Sequence, residues 1–259
     1  MMPTPTSLPR EIEELGRHYR SAARLTTREI LGEGRTSAKI EELAAITAAY
    51  SDREVAGWRN HPSRPPAVAC RAGCQACCHV PVGITIPEAI RVGLTILETW
   101  DDDALEPLRD RVEGHHAANR GLDVHRRRSL GHPCPMLDEA GACSIHEFRP
   151  IECRAWNSLD VGRCEAYRDD PSAGVRIPVD PIQIAIARSI AIGTQAGLLA
   201  EGFEHARVEL VAGVRLVLDD PSTIDRWLAG EAPFREAELA ATDPEVYQVE
   251  LDMLGTPGA

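Results

Sequence analysis

Apolar residues recur at helical spacing along most of this chain. Leu8, Ile12, Leu15, Tyr19, Ala22 and Ala23 form one stripe between charged positions and predict a helix over Leu8 to Leu31. Gly32-Glu-Gly34 interrupts it. A second stripe, Ile40, Leu43, Ala44, Ile46, Thr47 and Tyr50, predicts a helix that opens at Ser37 and runs to about Trp58. The two are expected to pack as an antiparallel pair. His61-Pro-Ser-Arg-Pro-Pro66 ends the second, because proline lacks a backbone donor and restricts its predecessor. Val80 to Ile84 is apolar but too short to assign as a strand. Thr85-Ile-Pro-Glu88 has the form of a capping box, opening a helix through Ile90, Leu94, Leu97 and Trp100. Asp101-Asp-Asp103 then caps another, through Leu105, Leu108 and Val112 to about Asn119.

The periodicity stops in the region from Gly131 to Tyr167, which is rich in proline, glycine and cysteine and reads as a loop. After Pro171 helices resume at Pro181 to Leu199, Phe203 to Leu218 and Pro221 to Leu228. A last one spans Phe234 to Leu254, interrupted at Pro244. No internal repeat and no strand–helix alternation appears. The expected fold is mostly α: a helical domain with an irregular, loop-rich cysteine segment held by metal. The expected division is an N-terminal helical hairpin (1–66), a cysteine-cluster domain with inserted helices (67–170) and C-terminal helices packed on it (171–259), all in one unit.

The chain has 259 residues, a net charge of −12 and 4% aromatic residues. Its acidity argues against a nucleic-acid partner. The N-terminal stretch Met1 to Gly16 has prolines and charges where a signal peptide would have an apolar run, so a cytoplasmic location is expected. The most apolar segment, Ile182 to Ala200, carries Arg188, Gln183 and Gln195 and reads as a buried helix rather than a membrane span.

Eight cysteines then change the picture. Cys70, Cys74, Cys77 and Cys78 stand within nine residues; Cys134, Cys143, Cys153 and Cys164 follow a cysteine-free gap. Cytoplasmic thiols stay reduced, so metal accounts for them better than disulfides. One tetrahedral ion takes four thiolates, so eight supply two sites or one larger cluster. Cys77 and Cys78 are adjacent and their side chains diverge. Either Cys78 serves a second ion or the site is polynuclear.

The run Cys70-x3-Cys74-x2-Cys77-Cys78 is followed by Cys134-Pro-Met-Leu137, Gly141-x-Cys143-x-Ile-His146 and Arg149-Pro-x-x-Cys153-Arg154. Together with Ala155-Trp-Asn-Ser158 and Cys164, it resembles the YkgJ-type cysteine-cluster family, the CxxCxxCC zinc- or iron-chelating domain. The first gap is three residues, where the family's label has two. The resemblance covers Cys70 to Cys164 and implies that all eight cysteines bind zinc or iron, as ions or as an iron–sulfur cluster. It implies no general reaction. Four thiolates on one zinc leave a net charge of about −2, which nearby arginines can offset. Arg149 and Arg154 lie within the motif and are expected beside the ligands, whereas Arg71 and Arg163 read as surface residues. His79 and His146 are open between ligands and hydrogen-bonded loop histidines. His115, His116 and His125 read as solvated.

Three functions stay open: an iron-based redox or catalytic protein, a structural zinc module that binds a protein partner, and a metal buffer or delivery protein. Cys70-x3-Cys74-x2-Cys77 also has the spacing of the radical S-adenosylmethionine motif. Ala76, the adjacent Cys78 and the missing strand–helix alternation speak against that enzyme. No membrane and no nucleic acid is expected among the partners.

Overall fold

The computed structural model describes residues 10–238 apart from Pro65 and Ala72. Within them, α1 (Arg10–Glu33) and α2 (Ser37–Arg59) precede the first cysteine segment. α3 (Ile86–Thr99), α4 (Asp102–Asn119) and α5 (Val124–Leu130) fill the gap between the cysteine segments. Two short helices, α6 (Ile151–Ala155) and α7 (Val161–Asp169), lie in the second segment. α8 (Pro181–Ala200), α9 (Leu210–Asp219) and α10 (Ser222–Leu228) follow. β1 (Gly83–Ile84) pairs antiparallel with β2 (Val208–Glu209), Gly83 opposite Glu209.

Local chemistry sets most helix starts. Asp101, Asp123, Asp160 and Asp180 each accept a backbone N–H in the first turn of α4, α5, α7 and α8. α2 opens at Ser37 as expected, capped by the preceding Thr36, whose hydroxyl oxygen accepts from the Lys39 amide. The larger core joins α2, α3, α4, α9 and α10 through Leu43, Ile90, Ile96, Leu108, Val214 and Trp227. A smaller one joins α1, α2, α6 and α8 through Tyr19, Val55, Ile151, Ile186 and Ile190.

Several expectations change. α1 lies mainly along α8 rather than α2. Glycine is the reason. A Cβ at Gly193 would come within 2.3 Å of the Arg20 carbonyl, and one at Gly197 within 2.5 Å of Thr27 Cβ. Gly193→Ala must therefore separate the helices, and about 1–3 kcal/mol of stability should be lost in urea unfolding. An unchanged midpoint would contradict that packing. Phe203 to Leu218 is not one helix: helix begins at Leu210, after β2. The expected loop from Gly131 to Tyr167 contains α6 and most of α7, and α5 was not expected at all. Of Phe234 to Leu254, only the start is described; Pro233–Ala237 forms a 3-10 turn and the rest lies outside the described residues. Among the described helices, α8 alone is long and apolar enough to cross a membrane; 67% of that window is buried inside the protein, against α1, α2 and α6.

Candidate metal centre

The first cysteine segment runs irregularly to a 3-10 turn at Ala76–His79. Gly73 takes a φ of 78°, a left-handed conformation that favours glycine, and the Cys74 amide donates to the Arg71 carbonyl at 3.1 Å. The second segment opens with a tight hairpin between Met136 and Ser144. There Leu137 bridges Cys143, and Asp138 Oδ1 accepts from the Ala140 and Ala142 amides at 2.9 and 2.8 Å. Cys134 and Cys143 therefore stand on either side of one turn.

Backbone bonds fasten the segments to each other. The Cys134 amide donates to the Cys78 carbonyl at 2.7 Å, and the Ala69 amide to the Ser158 carbonyl at 2.7 Å. The Gln75 side chain lies directly on Gly141, where a Cβ would come within 2.7 Å of it. The two halves of the motif meet in space.

The thiols fall into two neighbourhoods, each drawn from both segments. Cys134, Cys143 and Cys153 pack against the larger core. Cys153 lies within electrostatic reach of Cys134, Cys77 and Cys143, so Cys77 completes this inner group. Cys164 is within reach of Cys70, then Cys74, then Cys77, and α7 packs on the 3-10 turn of the first segment. Cys70, Cys74 and Cys164 form an outer group; Cys70 and Cys77 are both exposed, and Cys77, the first thiol neighbour of Cys70 as well, stands between the two groups. Cys78 stands at the side of Cys77.

Electrostatics differ between the groups. Burial pushes the Cys134 thiol up to about 12, with Cys143 adding to it. Burial also holds Cys153 well above the ordinary thiol range, with Cys134, Cys77 and Cys143 adding. Cys77 is raised by its contact with Cys78 and then by desolvation. Opposing this, the Met136 amide donates to the Cys134 sulfur and the Ile145 amide to the Cys143 sulfur. In the outer group the Ser158 amide serves Cys70 and the Ser158 side chain serves Cys164. Such N–H and O–H donors stabilise a thiolate. Crowded thiols give up protons when a cation compensates the charge.

The remaining candidates separate by contact. Arg149 lies near Cys77 and Cys143 and lowers both thiols. Arg154 instead clasps backbone: its guanidinium donates to the Arg149 and Glu147 carbonyls at 2.7 and 2.6 Å and to Asp52 at 2.6 Å. It shapes the loop that carries Arg149. His79 Nδ1 bonds the Gly131 carbonyl at 2.9 Å, the loop-histidine alternative, and His146 is exposed. Arg71 and Arg163 are exposed. Two further contributors join them. Ser158, which lies in the motif's Ala155–Ser158 run but was not expected at the thiols, touches Cys70 and Cys164, and Arg59, at the end of α2 and without any sequence signal, lies near Cys70.

His115 and His116 are half-buried rather than solvated. The His115 ring packs edge-on to His132, 6.3 Å between centroids, and burial, then His132, Arg127 and His116, hold its pKa at about 4. An unfolded histidine takes its proton near 6.5. Between those values the unfolded state binds the proton and the folded state does not, so stability should fall as pH drops from 6.5 to 4. His115→Leu should flatten that part of a stability–pH curve; an identical slope would contradict the assignment.

Among the described residues, no three His, Cys, Asp or Glu side chains are already gathered closely enough to hold an ion. By donor chemistry they nevertheless fit zinc or iron: all eight cysteines are free thiols, and four of them already carry hydrogen-bond donors. Residues 69–170 match the family model described as "CxxCxxCC: Putative zinc- or iron-chelating domain", which supports metal binding. No curated protein and no solved structure matches the chain.

Proposed function

Taking residues 69–170 as a member of the CxxCxxCC zinc- or iron-chelating family, we propose that this chain holds zinc or iron through thiolates from both cysteine segments. The observation that carries the reading is the inner neighbourhood, where Cys77 of the first segment stands among Cys134, Cys143 and Cys153 of the second. Four thiolates are what a closed tetrahedral zinc site or an iron–sulfur cluster takes. The outer group, Cys70, Cys74 and Cys164, offers three and leaves a position for another ligand. An inner, core-packed site of this kind holds the fold of the segment. An outer one, whose thiols do not pack on the larger core, suits an exchangeable ion.

Protein purified without oxygen tests this reading through metal analysis, visible absorption and alkylation of free thiols. The expected result is zinc or iron bound to every chain and no stable disulfide. Iron–sulfur clusters would show as visible absorption, whereas zinc would leave the spectrum blank. Four stable disulfides, with no uptake of either metal after reduction, would overturn the reading.

A further inference from the structure

Glu88 is buried at the start of α3, and both of its carboxylate oxygens are engaged. Oε2 accepts from the Thr85 amide and from the Thr85 hydroxyl, each at 2.8 Å, which is the local cap of α3. Oε1 does something a local cap does not. It accepts from the amide of Ile151, 63 positions along the chain, at 2.6 Å. Ile151 is the first residue of α6, the five-residue helix that carries Cys153. Pro150 before it has no N–H, so the Ile151 amide is the first donor at that helix start. Ile151 is itself buried, and a buried amide without an acceptor is costly. A helix of one turn does not hold itself together in water. Its placement depends on what grips its ends.

We infer that Glu88 is a positioning residue for Cys153: a single carboxylate closes the starts of α3 and α6 and so fixes this core-packed thiol of the second segment relative to the first segment. Cys153 lies two residues beyond the gripped amide, and Glu88 is among its electrostatic neighbours. Thr85, on the other oxygen, follows directly on β1, which leads out of the first segment. The inference rests on the proposed metal reading for its consequence and on these hydrogen bonds for its geometry. It requires two acceptor oxygens on one side chain. Glutamine has nearly the same shape but a single acceptor, so its NH2 group would face one of the two amides donor to donor.

Glu88→Gln tests it, with zinc alone as the probe. The metal-free variant should stay helical by circular dichroism. Its zinc affinity, measured by competition with a chromophoric chelator, should fall tenfold or more. Alkylation of Cys153, read by mass spectrometry, should accelerate tenfold or more in both metal-free and zinc-loaded protein, while Cys70 and Cys74 react as in the wild type. A cap with no role at the thiols would lower the melting temperature equally with and without zinc and leave affinity and Cys153 reactivity unchanged; that result overturns the inference. Should Glu88→Gln not fold, Glu88→Asp keeps the charge and shortens the reach, and it must show the same selective rise at Cys153. Wild-type protein that binds no zinc would defeat the metal reading, and the metal-free Cys153 rates would still decide the positioning role.

Discussion

Cys77→Ser is expected to lower metal content as much as Cys143→Ser or Cys153→Ser, although Cys77 is more than fifty positions away in sequence. Serine keeps the size of cysteine but is a far poorer ligand for a borderline or soft metal. The three thiols belong to one neighbourhood, so loss of any one opens the same site. Cys70→Ser and Cys74→Ser should instead group with Cys164→Ser, removing a separate fraction of the metal. The long excursion through α3, α4 and α5 is no obstacle, because the entropy of closing a loop rises only with the logarithm of its length. Metal bonds offset such a term easily: structural zinc contributes about 10–16 kcal/mol in small domains. Chelation should accordingly raise hydrogen exchange from Cys134 to Cys164 while α1 and α8 stay protected by their own packing. Losses that sort by segment, Cys70 to Cys78 against Cys134 to Cys164, would contradict the two neighbourhoods.

Glu152→Ala is expected to destabilise the protein by about 1.5–3 kcal/mol in chemical unfolding. Glu152 precedes Cys153 on α6 and is 7% exposed. Its Oε1 accepts from Arg188 on α8 at 2.9 Å, and its Oε2 lies 3.4 Å from Arg207, which also donates to the Gly83 carbonyl of β1 at 2.6 Å. The carboxylate thus ties α6 to α8 and to the small sheet, and removing it leaves two guanidinium groups without the anion they share. Burial alone would raise its pKa, but Arg188 and Arg207 outweigh burial and hold it below the ordinary carboxylate value. A lowered folded pKa means stability that is present above the unfolded value and lost as pH falls through the folded one. Wild type should therefore lose stability on acidification through that window more steeply than Glu152→Gln. Equal slopes, or a loss under about 1 kcal/mol for the alanine variant, would show that the ion pair contributes no more than a surface pair does.

The helices that depend on their own sequence were legible in it. α1, α2, α4 and α8 have sustained apolar stripes, and the Asp101 cap and the Thr85–Glu88 box are local signals that read correctly. α6 was not legible, because its start is satisfied by Glu88 from far along the chain and its sequence shows no cap of its own. α5 and α7 are short and largely polar, so periodicity had little to register. The pairing of α1 with α8 was hidden in Gly193 and Gly197, which look like weak points in a helix until the second backbone is seen against them. The cysteines were legible as a set, and so was their meeting across the gap. Their division was not, because it depends on how the Met136–Ser144 hairpin and α6 pack on the core while Cys164, on α7, stands beside Cys70 and Cys74. Arg154 belonged to the motif by sequence, yet its contacts are with backbone and Asp52.

The most direct measurement of the central claim is site-by-site protection of the cysteines. Protein loaded with zinc, or purified with its own metal, is pulsed with an alkylating agent, and each cysteine is quantified by mass spectrometry before and after chelation. Metal is expected to protect Cys77 together with Cys134, Cys143 and Cys153, and chelation to release these four in concert. Cys70, Cys74 and Cys164 are expected to lose their protection together at a lower chelator concentration. Protection confined to one segment, or eight cysteines that react alike with and without metal, would contradict that claim.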